Sequence, residues 1–85
     1  MHTVAAMTPS DYGEAVAAEV RAEMARQQKT PTDLASALQV TPATARSRLA
    51  GKTFFNVVEL VVIASWLGID VEQLASPGAL QQAAS

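Results

Sequence analysis

Apolar side chains recur at Tyr12, Val16, Val20 and Met24, a four-residue spacing that puts them on one face of an α-helix. Ala15, Ala18, Ala22 and Ala25 lie between them, adding helix propensity and room for neighbours to approach. The segment opens on Thr8-Pro9-Ser10-Asp11. That pattern offers a hydroxyl N-cap, a proline at the first helical position and an acid to close a capping box. A long first helix running to about Gln28 is predicted.

The same start signal returns at Thr30-Pro31-Thr32-Asp33, ahead of a short helix with Leu34, Ala35 and Leu38 inward, over by Gln39. Thr41-Pro42 gives a third start. Ala45 and Leu49 then face inward, and Gly51 supplies a stop. Phe54-Phe55 precede Asn56-Val57-Val58-Glu59, another cap with its reciprocal acid, and one ring is expected to staple this start to the core. From Val57 to Leu67 the chain is apolar almost all round, which predicts the central, most buried helix. Trp66 is expected in the core, whereas Val62 is left over for a partner. Gly68 ends this helix, and Asp70-Val71-Glu72-Gln73 can cap a final short turn that buries Leu74. Ser76-Pro77-Gly78 breaks structure. The alanine-rich tail 79–85 is expected to be frayed or to become helical with a partner. No segment alternates with period two. The prediction is therefore an all-α chain, with one domain over residues 1–78.

Composition sharpens this. An 85-residue chain has room for one core, and 49% hydrophobic residues suffice to build it. With no cysteine, a disulfide scaffold, a thiolate zinc site and a thiol nucleophile are excluded. No apolar run approaches the ~18 residues of a membrane span, and the start of the chain lacks the pattern of a signal peptide. No membrane association and a cytoplasmic location are expected.

The net charge of −2 argues at first against nucleic acid, but its distribution does not. Lys29, Arg46, Arg48 and Lys52 against Asp33 give residues 29–52 a net +3. Residues 1–28, with Arg21 and Arg26 against Asp11, Glu14, Glu19 and Glu23, carry −2. Residues 53–85, with Glu59, Asp70 and Glu72, carry −3. The basic stretch coincides with the two short helices and their tight connection.

Three groups of residues in this region form a recognisable series: Leu34-Ala35, then Leu38-Gln39-Val40-Thr41-Pro42, then Thr44-Ala45-Arg46-Ser47-Arg48-Leu49-Ala50-Gly51-Lys52. Val58-Glu59-Leu60, Ile63-Ala64, Leu67-Gly68-Ile69 and Leu74 continue it. Through these residues, Lys29–Leu74 resembles the lambda-repressor-like (Cro/XRE-type) helix-turn-helix family. The resemblance implies a compact five-helix bundle, here with an extended N-terminal helix, that docks two helices on double-stranded DNA. Elementary physics agrees. Two short helices sharing one core are held at a large angle, so one crosses the phosphate backbone while the next enters the major groove.

Read this way, the third helix presents Pro42, Ala43, Arg46 and Ser47 to base edges. Arg46 is the principal reader, because a guanidinium can donate two hydrogen bonds to guanine. Thr30, Thr32, Thr41, Thr44, Lys52 and Thr53 are phosphate candidates. So is Arg48, whose stem is expected to cover the core while its head contacts phosphate. The chain departs from the family pattern in places. Pro31 stands where a phosphate-binding glutamine is common, Gln39 replaces a turn glycine, and Pro42-Ala43 thin the reading face.

The expected function is sequence-specific transcriptional regulation, with repression by occupying a promoter operator. A bacteriophage Cro-like or immunity-repressor role fits a chain without a ligand or cleavage domain. A homodimer, at least on DNA, is expected. An antitoxin-type or other protein-binding use of the scaffold is the competing class. No enzyme activity, cofactor, metal or small-molecule ligand is expected. His2 has no partner for catalysis, and Gly51-Lys52-Thr53 lacks the upstream glycine and strand of a phosphate loop.

Overall fold

Capping chemistry sets where each helix begins. In the computed structural model, which describes residues 8–75, α1 spans Pro9–Arg26, α2 Pro31–Leu38, α3 Pro42–Leu49, α4 Val57–Leu67 and α5 Val71–Ala75. Thr8, Thr30 and Asn56 each close a capping box with Asp11, Asp33 and Glu59 respectively. Thr41 caps α3 by accepting from the Thr44 backbone N–H at 3.1 Å. Each box satisfies amides that would otherwise lack a partner at the start of a helix. His2, the Ser76–Gly78 break and the 79–85 tail lie outside the described residues.

The helix ends rest on left-handed backbone. Gln39 (φ 59°) and Gly68 (φ 71°) close α2 and α4, and Gly51 (φ 80°) follows α3. α1 stops at Arg26 rather than Gln28. Gln28 turns left-handed (φ 58°), and the Lys29 N–H closes back on the Met24 carbonyl at 2.9 Å.

The five helices pack around one core. Val16, Val20 and Met24 of α1 meet Leu34 and Ala35 of α2, Ala45 and Leu49 of α3, Leu60, Ile63, Ala64 and Leu67 of α4, and Leu74 of α5. Phe55 provides the expected staple: it packs on this core and shares an apolar groove of about 410 Å³ with Leu60, Val16 and Tyr12. Phe54 lies instead against α1, where a Cβ at Gly13 would come within 2.3 Å of its ring. Glycine in mid-helix makes that approach possible. Trp66 is half-buried, with the Lys29 Nζ 4.8 Å from its ring centre.

α1 is also a polar spine. The Tyr12 hydroxyl donates to the Ala75 carbonyl of α5, Arg21 Nη1 to the Leu49 carbonyl of α3, and Gln27 Nε2 to the Leu67 carbonyl of α4 at 2.7 Å. The last carbonyls of a helix have no partner within it. One helix, with the Gln27 cap that follows it, thus satisfies such groups in three others.

Two expectations need correction. Tyr12 is not a core residue; it stays 39% exposed, and its hydroxyl is tied to the end of α5. α4 is not buried all round, since its neighbours α1, α2 and α5 cover only one side. Val57 and Val58 remain 76% and 71% exposed, and Val61 and Val62 are exposed beside them.

Candidate nucleic-acid interface

Two short helices and a tight turn build the candidate site. The Val40 N–H reaches back to the Ala35 carbonyl at 3.0 Å, and Gln39 takes the left-handed conformation that glycine would adopt without strain. Three residues, Gln39-Val40-Thr41, therefore redirect the chain from α2 into α3. Ala45 and Leu49 pin α3 to the core. Four apart on one helix, they fix its rotation and decide which side chains face solvent.

Pro42, Ala43 and Arg46 are exposed on α3, and Ser47 is half-buried beside them. Ala43, Arg46, Ser47, Ala50 and Lys52 line one shallow depression of about 360 Å³. Three of the base-edge candidates and the phosphate candidate Lys52 are thus neighbours on one surface. Thr41, Lys52 and Thr53 are exposed, while Thr44 is half-buried and its hydroxyl bonds that of Thr41 at 3.0 Å. Thr30 and Thr32 are exposed at the start of α2. Pro31, between them, shares a second hollow with Arg46 and Arg21.

Arg48 lies elsewhere. Its side chain is 20% exposed, and its guanidinium is paired with Glu59 of α4, itself 14% exposed. Nε and Nη1 of Arg48 are buried without aligned hydrogen bonds, so the contact is an ion pair rather than a bidentate fork. The expected stem burial holds, but the head turns inward to Glu59, and the phosphate contact is withdrawn. Glu59 serves twice, because its other oxygen accepts from the Asn56 backbone at 3.0 Å.

Arg21 was not among the sequence candidates. It reaches from α1 to the last carbonyl of α3 and brings positive charge next to Arg46. A partner 28 residues away leaves no mark in local sequence.

The electrostatics of the two helix starts differ. Thr30's backbone N–H, and then its hydroxyl, hold the Asp33 carboxyl below the usual carboxylate range. Asp33 therefore stays charged at the start of α2 and would repel a phosphate near Thr30 and Thr32. The first turn of α3 has no acid, whereas those of α1, α2, α4 and α5 carry Asp11, Asp33, Glu59 and Glu72. No acid in its own first turn offsets its partly positive amide end. Among the described residues, no cluster of His, Cys, Asp or Glu can hold a metal, and no helix is long and apolar enough to cross a membrane.

No family model matches the chain, and no curated protein or solved structure matches it either.

Proposed function

We propose that the protein binds double-stranded DNA in a sequence-dependent way, as a lambda-repressor-like helix-turn-helix regulator that lays α3 in the major groove. The observation that carries this reading is the face of α3. Arg46 and Ser47 project from a helix locked by Ala45 and Leu49, beside exposed Lys52, and the first turn of that helix carries no acid. A helix fits the major groove, and an arginine one turn in can donate two hydrogen bonds to guanine. Thr41 and Lys52 approach the flanking phosphates, and Thr30, Thr32 and Thr53 lie at the edge of the footprint. Arg21 acts behind the face by holding the last carbonyl of α3. Bound at a promoter, a domain of this size blocks polymerase by occupancy, which is the Cro-like mode that the sequence resemblance implies.

The experiment is selection of bound duplexes from a random-sequence pool by the whole chain at about 50 mM salt, repeated at about 200 mM. We expect an enriched motif containing a guanine, with affinity falling steeply between the two conditions. Retention of no duplex at the lower salt would contradict the reading.

A further inference from the structure

Carboxylates neutralise some arginines of this chain and leave others bare. Arg26 is tied to Glu23 at 2.7 Å and Arg48 to Glu59, while the Lys29 ammonium stands over the Trp66 ring. Arg21 and Arg46 have no carboxylate partner among the described residues. Yet these two share one hollow of about 510 Å³, whose other walls are Pro31, Leu49 and Ala50. Two guanidiniums gathered from α1 and α3 repel each other, and an anion beside them removes that cost. The chain has eight acids, and none lines this hollow. Asp33, two residues beyond Pro31, lines a different hollow with Lys29 and Trp66. Glu14 lies two turns before Arg21, about 10 Å along the helix axis, and packs at Gly51.

The Arg21 guanidinium is only partly used. Nη1 donates to the Leu49 carbonyl, and its other N–H groups have no partner among the described residues. A guanidinium has five such donors in a rigid plane, so one bond fixes the direction of the rest. Pro31, on the α2 side, has no backbone N–H to offer. The donors of the hollow therefore come from the two arginines, over a wall that is otherwise apolar.

We propose that this hollow is a phosphate site, in which Arg21 holds one phosphodiester of the duplex beside the nucleotide that Arg46 reads. The duplex as the source of that phosphate rests on the DNA-binding reading; the anion site itself does not. Arg46 also lines the depression with Ser47 and Lys52. Its guanidinium can turn there, toward the bases, while the phosphate takes the place beside Arg21. Arginine suits the task because its planar fork can meet two phosphate oxygens at once. Arg21 is anchored on the last turn of α3 itself. A phosphate on it therefore sets how deep and in what register α3 lies in the groove.

Inorganic phosphate titrated into the whole chain, against sodium chloride of equal ionic strength, tests the hollow without a duplex. The NMR signals of the Arg21 side chain and of the Leu49 and Ala50 amides should shift saturably with phosphate and not with chloride. Arg21→Gln keeps a neutral donor for the Leu49 carbonyl and should abolish that shift. Gel-shift titrations with duplex form the second arm. The fall in affinity between about 50 and 200 mM salt should be about 3-fold smaller for Arg21→Gln than for wild type, because one phosphate contact is gone. Arg21→Lys keeps the charge and should keep the wild-type salt dependence. An arginine that merely braced α3 would lower Tm in these variants and leave the salt dependence of both unchanged; that result would overturn the proposal. No saturable phosphate shift in the wild type would overturn the site whatever the duplex arm shows, and this measurement needs no variant to fold. Phosphate bound in the hollow by a wild type that retains no duplex would uphold the anion site and overturn the duplex as its source.

Discussion

Arg46 and Arg48 stand two positions apart on α3 and face opposite fates. Arg46 is exposed beside Ser47, whereas Arg48 is drawn to Glu59. Helical periodicity made the first legible, because Ala45 and Leu49 fix the inner face and Arg46 falls off it. It could not show that Glu59, eleven residues further on, would meet the head of Arg48. The sequence suggested a snorkelling arginine with a free head; packing of α4 supplied a carboxylate instead. A pair of substitutions checks the distinction. Arg48→Met keeps the apolar stem and should leave duplex affinity and its salt dependence unchanged, while lowering stability by about 1–3 kcal/mol as Glu59 loses its partner. Lys52→Ala should weaken binding to all duplexes alike and make the salt dependence shallower by about one counterion. Gel-shift titrations at several salt concentrations, with denaturant melts, measure both. A shallower salt slope in Arg48→Met would return that head to the phosphates.

Local signals determine the starts of the helices, which is why Thr8, Thr30, Thr41 and Asn56 could be identified as caps from their neighbours alone. The turn at Gln39 was legible as a place that needed left-handed backbone. The end of α1 was not, because Gln28 adopts that conformation without being glycine. The misjudged element was α4. An all-apolar helix looks buried in sequence, yet burial depends on how many neighbours can reach it. Here α1, α2 and α5 cover one side, leaving the valines exposed.

Two expectations belong to this scale. Leu49 is buried at the end of α3, so Leu49→Ala should cost about 2–5 kcal/mol by transfer and cavity terms. Thermal unfolding should show a large drop in Tm; an unchanged Tm would mean that the rotation of α3 is misassigned. The capping box of α2 makes stability depend on acid. Asp33 has its carboxyl held below its ordinary range by Thr30, so its contribution is present above the unfolded-state pKa. It is lost as pH falls through the lower, folded value. Melting temperature should therefore decline below about pH 4, and Asp33→Asn should reduce that decline.

Across the whole molecule, α1 has a role that sequence patterning did not reveal. Its apolar stripe was visible, but its polar side chains find the carboxyl ends of α3, α4 and α5 only after the bundle has formed. The result is a molecule with separated faces. One carries Arg46, Ser47 and Lys52, and another carries the valines of α4. A net acidic chain can hold such a basic face because charge acts locally over roughly a Debye length, about 8 Å at physiological salt. The all-helical architecture was legible because caps and periodicity agree along the chain. The separation of a basic face from an apolar one was not, since it depends on contacts between elements distant in sequence.

Arg46 is the residue on which sequence reading by α3 is proposed to depend. The most direct test of this compares wild type and Arg46→Ala on the enriched duplex and on each single-base variant of it. A loss of about 1–3 kcal/mol on the enriched duplex is expected, with a much smaller loss on unrelated duplexes and collapsed discrimination at one guanine. An Arg46→Ala protein that ranks all the variants as the wild type does, and merely binds each more weakly, would contradict it.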